Sequence, residues 1–178
     1  MRVNNKTATL SALEAQGCVF SEPVSQSDTI YVHKTGNLET FLSNEVFVRI
    51  REQSDGSIIL TAKQSASRVG GDPLVKKEHE VKIDSAKEGR TILEMTGLVE
   101  AVRVAKCRQI AHYKDWEVCI DEVDGLGTFI ELEEMAPEEN AANIQDAMVA
   151  FLTSVGIPSS DRVFKGYDIL MLENLTQI

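Results

Sequence analysis

Residues 116–134, W-E-V-C-I-D-E-V-D-G-L-G-T-F-I-E-L-E-E, decide the fold of this chain. Two runs of alternating apolar and polar residues, 116–123 and 128–133, are typical of β-strands. They flank the tetrad D-G-L-G at 124–127, which places glycine where a tight turn needs a positive φ. The stretch therefore predicts a β-hairpin.

The alternation gives this predicted hairpin one apolar face and one acidic face. In the second strand, Ile130 and Leu132 share one face, and Glu131 and Glu133 lie side by side on the other, about 7 Å apart. The first strand adds Glu117, Cys119 and Asp121 to the acidic face. Like charges at this spacing repel, so a concave face that holds them together favours a cation, and hard divalent ions prefer oxygen ligands. A solvated outer face of an antiparallel sheet would tolerate the same acids, and both interpretations stay open at this point.

Length and composition limit the class of protein. The 178 residues match the size of one domain, so we predict a single domain over 1–178. A net charge of -10 argues against nucleic acid as a partner. The three cysteines lack C-x-x-C spacing, which suits a reducing compartment. There is no run of about 18 apolar residues and no signal-peptide pattern, so we expect a cytoplasmic protein without a membrane partner.

The rest of the chain predicts further helices and strands. Helices are predicted at 5–16, 85–95, 137–155 and 168–175. Strands are predicted at 18–20, 29–32, 46–52, 58–63, 76–83 and 102–111. A loop is predicted at 64–73, and the segment 38–42 fits neither pattern clearly.

Several of these strands carry one apolar and one charged face. The amphipathic helices need the apolar faces as partners, which leaves the charged faces to water or to each other. An open sheet would expose the charge to water, whereas a closed antiparallel barrel would enclose it and remove exposed edges. The charged positions are Arg49, Arg51, Lys63, Lys106, Arg108, Asp121, Glu131 and Glu133. We predict an α+β fold, an antiparallel β-barrel with helices packed on the outside and a lumen that binds cations and polyphosphate.

The motif I-D-E-V-D-G-L-G-T-F-I-E-L-E, preceded by V-R-I-R and V-A-K-C-R, resembles the CYTH superfamily, the triphosphate tunnel metalloenzymes. Within that superfamily it is similar to the class IV adenylyl cyclases and their relatives. The resemblance covers nearly the whole chain, as far as G-Y-D-I-L-M-L at 166–172. It implies an eight-stranded antiparallel tunnel that binds a triphosphate through basic residues and one or two divalent cations, Mg²⁺ or Mn²⁺. Members of the superfamily include adenylyl cyclases and thiamine, inorganic and RNA triphosphatases.

The resemblance also implies a role for each charged position. Triphosphate would be bound by Arg49, Arg51, Lys63, Lys106 and Arg108. The metal ligands would be Glu131, Glu133 and Asp121. Lys63 and Asp121 would serve catalysis, Asp121 through orientation of the metal or the substrate. Glu78 and Glu80 match a further acidic pair of the family more loosely.

One difference from the family concerns its first strand, which carries an E-x-E-x-K signature before the first helix. This chain opens with M-R-V-N-N-K instead. Either a preceding segment is missing from the sequence, or the protein is a degenerate member that has lost part of its metal site. We expect the chain as given to bind triphosphate with little or no turnover. A barrel without that strand leaves backbone groups unpaired, which favours association, for example as a homodimer.

Two classes of function follow from the resemblance. As an enzyme, the protein would be a cyclase that converts ATP to cyclic AMP and pyrophosphate, or a triphosphatase in which water attacks the terminal phosphorus. As a binding module, it would hold the triphosphate without turnover. Both enzymes would use the same phosphate and metal core, so the sequence does not separate them. His33, His79 and His112 lack metal-ligand spacing and are expected at the surface.

Overall fold

The computed structural model of this chain describes residues 1–34, 46–69 and 72–176. Within these ranges the chain forms seven β-strands and four α-helices, and the α+β class is confirmed. The strands are β1 Val24–His33, β2 Phe47–Gln53, β3 Ile58–Val69, β4 Asp72–Lys82, β5 Leu98–Tyr113, β6 Trp116–Val123 and β7 Gly127–Glu133. The helices are α1 Lys6–Ala15, α2 Ala86–Met95, α3 Ala141–Ser154 and α4 Tyr167–Thr176. The ambiguous segment 38–42 lies outside the described residues.

The strands belong to one antiparallel sheet, in the order β4-β3-β2-β1-β5-β6-β7. We predicted a closed barrel, and the resemblance implied eight strands, whereas the described residues form seven strands in a sheet that is not closed. The residues before α1 still pair with β7: Arg2 forms an isolated antiparallel bridge with Phe129. Val3 N–H donates to Thr128 O at 2.8 Å, and Ile130 N–H donates to Met1 O at 2.8 Å. The three N-terminal residues therefore form a short ladder along β7.

The chain divides into two compact units, and the first comprises residues 1–24 and 106–164. Its core contains the apolar face of the β6–β7 hairpin, including Val118, Ile120 and Ile130, as the alternation predicted. Leu13 of α1 and Leu152 of α3 pack into the same core. Burial of each such aliphatic side chain stabilises the fold by about 1.5–3 kcal/mol. This packing fixes which face of the hairpin carries the acids.

The second unit comprises residues 25–105 and 165–178. Its core is formed by Tyr31, Ile50, Leu93 and Leu98, from β1, β2, α2 and β5. The predicted start of α2 is confirmed, because the Ser85 side chain accepts a hydrogen bond from Glu88 N–H at 3.2 Å. With Ile50 in this core, the alternation of β2 places Arg49 and Arg51 on the opposite face of the strand.

Three predicted elements differ from the structure. Residues 18–20 form no strand: Cys18 N–H donates back to Leu13 O at the end of α1, and the first link to β5 is from Ser21 N–H to Ile110 O. The predicted loop at 64–73 is wrong for its described residues, because 64–69 belong to β3 and 72–73 to β4, which pair antiparallel with shifts in register after Ser65. Residues 70 and 71 lie outside the described residues. The predicted helix at 137–155 begins with a 3₁₀ turn at Glu138–Asn140, and the α-helix follows. None of the described helices is long and apolar enough to cross a membrane.

Candidate functional site

Charged side chains of the strands form two clusters, one within each unit. We call the cluster on β5, β6 and β7 the hairpin cluster; it consists of Lys106, Arg108, Asp121, Glu131 and Glu133. We call the other the β2 cluster; it consists of Asp28, Arg49, Arg51, Lys63, Glu78 and Glu80. Together they contain every position that the sequence analysis assigned to phosphate, metal or catalysis.

Asp121 is the centre of the hairpin cluster. It lies directly opposite Arg108 in the β5–β6 ladder, and its side chain is 0% exposed. Arg108 donates from Nε to Oδ1 at 2.7 Å and from Nη2 to Oδ2 at 2.6 Å, and Lys106 Nζ donates to Oδ2 at 3.0 Å. This is a two-point arginine–aspartate pair, the geometry that holds a guanidinium most firmly. Asp121 therefore fixes the direction of both basic side chains.

The electrostatics of Asp121 and Arg108 follow from this contact. Burial would raise the pKa of Asp121, but the hydrogen bond from Arg108 and the charge of Lys106 outweigh it and lower the pKa below its usual value. Burial would lower the pKa of Arg108, but its hydrogen bonds to Asp121 and the nearby charge of Glu131 raise it instead. Asp121 and Arg108 are thus charged at neutral pH, and together with Lys106 they form what we call the ion triad.

Glu131 and Glu133 lie on the same face of β7, as the alternation predicted. Glu131 Oε2 accepts from Arg108 Nη2 at 2.7 Å, while the Glu131 side chain is 38% exposed. Glu133 is exposed, and in the ladder it lies opposite Glu117. The two carboxylates are accessible oxygen donors about 7 Å apart along the strand.

The fit of these acids to a divalent cation differs from one to the next. Mg²⁺ in phosphate-binding sites is held by one or two carboxylates together with substrate oxygens, and Glu131 and Glu133 suit that role. Asp121, predicted as a third ligand, has both oxygens bound by cations and no accessible surface. Among the described residues, no three acidic, histidine or cysteine side chains converge in a way that could hold a metal. The hairpin cluster therefore offers two carboxylates to a metal, and the substrate would complete its coordination.

Cys119 lies on the acidic face of the hairpin, between Glu117 and Asp121. It is fully buried, and its Sγ lies 3.3 Å from Glu117 Oε1, to which it donates. Burial is the largest cause that raises the pKa of this thiol, and the adjacent glutamate acts in the same direction. All three cysteines of the chain are free, and Cys119 is a protonated structural thiol rather than a nucleophile.

The β2 cluster also contains a buried aspartate, Asp28, at its β1 end. Arg51 donates from Nε to Asp28 Oδ1 at 2.7 Å and from Nη2 to Asp28 Oδ2 at 2.8 Å. Arg49 Nη2 donates to Thr61 Oγ1 at 3.1 Å and to Glu80 Oε1 at 3.0 Å. Lys63 Nζ pairs with Glu78 Oε1 at 2.5 Å. The three basic side chains therefore stand in a row across β2 and β3, each with an acidic partner.

Arg49 has the least complete set of partners in this cluster. Burial lowers its pKa, and the charge of Arg51 acts in the same direction, while Asp28 and the two glutamates oppose both effects. Its Nε is buried and makes no hydrogen bond within the described part of the chain. A buried donor without an acceptor costs about 1–3 kcal/mol, which an anionic oxygen at this position would recover.

Each cluster groups residues that the sequence analysis selected, and the β2 cluster adds two contacts that it did not select. Asp28 and Thr61 were not selected, although both contact the basic residues of β2. Aspartate is uncommon within strands, so the D in S-Q-S-D-T-I-Y-V was the available signal for Asp28. The exposure predicted for the three histidines, at positions 33, 79 and 112, is confirmed.

Comparison with known proteins identifies relatives over nearly the whole chain. The sequence profile of the family described as "CYTH domain" matches residues 1–167. A protein of Methanocaldococcus jannaschii named "Putative adenylate cyclase" is 27% identical over 168 residues, which cover 94% of this chain and 93% of that protein.

Solved structures share the fold. A conserved hypothetical protein from Pyrococcus furiosus matches with a TM-score of 0.79 at 15% identity, over 94% of both chains. A Vibrio parahaemolyticus structure named "putative adenylate cyclase" matches with a TM-score of 0.76 at 21% identity, over 96% of this chain and 94% of that chain. These likenesses confirm the fold that the sequence motif implied.

Proposed function

Since the chain belongs to the CYTH domain family, we propose that it binds a triphosphate through its basic clusters and acts on it with a divalent cation, as a class IV adenylyl cyclase-like enzyme. In this proposal ATP is converted to cyclic AMP and pyrophosphate. The names of the archaeal and Vibrio relatives support the cyclase among the activities of the family.

One observation carries the proposal: the basic side chains of Arg49, Lys106 and Arg108 are buried, in a protein whose net charge is -10. Removing a charged group from water costs several kcal/mol, so a fold keeps such groups buried where they are paired with opposite charges and serve a functional site. Hydrogen bonds to Thr61 and Asp121 hold the guanidinium groups of Arg49 and Arg108 in fixed directions. Asp28 holds Arg51 in the same way. Oriented arginine forks of this kind match the oxygens of phosphate groups.

The roles proposed for the residues follow from these contacts. The five phosphate-binding residues are Arg49, Arg51, Lys63, Lys106 and Arg108. Glu131 and Glu133 would hold Mg²⁺ or Mn²⁺ through their accessible oxygens. A bound divalent cation would neutralise developing negative charge on the phosphate oxygens and lower the pKa of a coordinated hydroxyl. We assign Asp121 to orientation of Arg108 and Lys106, because both of its oxygens are bound by them.

In the cyclase, Arg108 and Lys106 would bind phosphate oxygens and stabilise the charge that develops as the ribose 3′-hydroxyl attacks the α-phosphorus and pyrophosphate leaves. Lys63 would contribute a third positive charge that is 17% exposed and held by Glu78. In a triphosphatase the same residues would bind the substrate while water attacks the terminal phosphorus.

A second candidate function is binding without turnover. It is favoured by the described acids: no three of them converge in a way that could hold a metal, so a cation would be held with few protein ligands. Weak metal binding would reduce turnover more than it reduces phosphate binding, because the basic clusters do not depend on the cation for their geometry.

Product analysis separates these functions. We would incubate the chain with ATP, thiamine triphosphate or inorganic tripolyphosphate, each with Mg²⁺ or Mn²⁺, and follow products by ³¹P NMR and chromatography. The proposal predicts cyclic AMP and pyrophosphate from ATP, at the low turnover that the sequence analysis expects, and at least a tenfold lower rate again for Glu133→Gln, which removes one ligand charge. Glu139→Gln, an exposed glutamate before α3, is the matched control and should keep the wild-type rate. Release of inorganic phosphate alone would assign a triphosphatase, and binding without any product would assign a binding module.

A further inference from the structure

Asp28, on β1, makes a two-point contact with an arginine of the neighbouring strand. Its position lies directly opposite Arg51 in the β1–β2 ladder. Both of its oxygens accept from Arg51, at 2.7 and 2.8 Å, and Arg49 Nη1 lies 3.7 Å from Oδ2. The Asp28 side chain is 9% exposed. One buried carboxylate therefore stands between two guanidinium groups.

The same arrangement occurs in the hairpin cluster, on different strands of the other unit. There Asp121 lies opposite Arg108 and accepts from its Nε and Nη2, and Lys106, two residues earlier, contacts the same carboxylate. In both clusters, a buried aspartate faces the second residue of a basic pair and also lies near the first. The recurrence indicates a common task, which is to set the direction of a basic pair.

The glutamates of the β2 cluster differ from Asp28 in reach and exposure. Glu80 and Glu78 are 46% and 32% exposed, and the contacts of each with Arg49, Thr61 or Lys63 use one oxygen, Oε1. A long, half-exposed side chain can turn into water at little cost, because surface ion pairs contribute about 0–1 kcal/mol. A short, buried carboxylate that is bound at two points cannot move away without leaving the buried arginine unpaired. A phosphate group would thus displace the glutamates and leave Asp28 in place.

We propose that Asp28 is a positioning residue for phosphate binding: it holds the Arg51 guanidinium, and by its charge the Arg49 guanidinium, in the directions that receive phosphate oxygens. The inference rests on the proposed function of the β2 cluster. Two arginines and one retained aspartate leave one net positive charge for the ligand after the glutamates move away. Asp28 itself does not touch the substrate.

A double-mutant cycle on Asp28 and Arg51 tests the inference, with inorganic tripolyphosphate as the ligand and calorimetry as the readout. Arg51→Ala should weaken binding about 10- to 100-fold, which corresponds to the loss of one charge-assisted contact. Asp28→Asn should weaken binding at least fivefold in the wild-type background. In the Arg51→Ala background it should change affinity by less than that, because the guanidinium that it orients is gone. Equal losses in both backgrounds would show that Asp28 acts by general destabilisation, and would overturn the inference.

Asp28→Glu keeps the test decisive if Asp28→Asn does not fold. The longer side chain retains the charge but moves the carboxylate, so we expect weaker tripolyphosphate binding with a melting temperature close to that of the wild type. Wild-type affinity in a folded Asp28→Glu protein would contradict the positioning role. Glu52→Gln, which changes an exposed acid next to Arg51 on β2, is the matched control and should bind as the wild type does.

Glu80→Gln is not expected to weaken tripolyphosphate binding, in contrast to Asp28→Asn. It removes the carboxylate that competes for Arg49, so tripolyphosphate should bind at least as tightly as to the wild type. A loss as large as that of Asp28→Asn would contradict the distinction between fixed and displaceable acids. If the wild type does not bind tripolyphosphate, the proposed function falls and this inference with it. If the wild type binds and Arg51→Ala weakens binding while both Asp28 variants match the wild type, only this inference falls.

Discussion

Replacing Asp121 with asparagine should destabilise the first unit strongly, because one buried carboxylate balances two buried cations. The amide would keep the shape of the side chain but remove the negative charge that Lys106 and Arg108 share, while Arg108 would retain its contact with Glu131. Removing one partner of a buried ion pair costs about 3–5 kcal/mol. The half-exposed Glu131 compensates Arg108 in part, so we expect the lower end of this range, about 3 kcal/mol.

Urea unfolding followed by circular dichroism measures this loss as a change in the free energy of unfolding. For a chain of this size, about 3 kcal/mol corresponds to a fall in melting temperature of about 6–12 °C. The matched control is Asp124→Asn, which changes an exposed aspartate in the turn of the same hairpin and should alter stability by less than about 0.5 kcal/mol. If Asp121→Asn were as stable as the control, the ion triad would not support the hairpin, and the reasoning about fixed basic groups would fail.

Two further predictions follow from the perturbed pKa values. Because the pKa of Asp121 is lowered in the folded protein, its carboxylate stabilises the fold at pH values above the ordinary pKa of 3.8, and this contribution is lost as the pH falls below 3.8. The difference in stability between the wild type and Asp121→Asn should therefore shrink from pH 5 to pH 2. A difference in stability that does not depend on pH would refute this prediction. Burial raises the pKa of Cys119, so at pH 8 iodoacetamide should label the half-buried Cys107 first and Cys119 only in urea, as judged by peptide mass mapping. Rapid native labelling of Cys119 would contradict this.

The hairpin and its faces could be predicted because their signals are local. The alternation of 116–123 and 128–133 and the glycines of the turn lie within one short stretch, and the structure gives strands at Trp116–Val123 and Gly127–Glu133. The assignment of Glu131 and Glu133 to one face needed only the two-residue period of a strand. The start and end of α2 were predictable for the same reason, from the cap at Ser85 and from Gly97, which has a φ of 89°.

The partners of the basic residues could not be predicted, since they depend on register between strands that are distant in sequence. Asp28 meets Arg51 because β1 pairs with β2, and the sequence separation of 23 between these residues gives no indication of that register. The contact of Thr61 with Arg49 could not be predicted either, because threonine is common in strands and its presence gives no indication of a partner. The extension of β3 to Val69 and the start of β4 at Asp72 were missed because that stretch is largely polar and lacks the apolar alternation that marks a strand.

The metal role that was predicted for Asp121 stays a prediction, but its contacts show what the sequence does not reveal. Its type and spacing suit a metal ligand, and the resemblance implied that role. The structure places it opposite Arg108 with Lys106 on the same carboxylate, so its charge is already compensated. Whether an acid serves a metal or a neighbouring cation depends on which side chains surround it, and this information appears only in three dimensions.

The most direct test of the account is the affinity of the chain for inorganic tripolyphosphate, measured by calorimetry for the wild type, Arg108→Gln and Arg103→Gln. Arg103 lies on the same strand, and its side chain is 57% exposed, so it controls for loss of a surface charge. The account predicts that the wild type and Arg103→Gln bind alike and that Arg108→Gln loses about 1.5–3 kcal/mol of binding free energy, the contribution of a hydrogen bond to a charged group. Equal affinity of all three proteins, or no binding by the wild type, would contradict it.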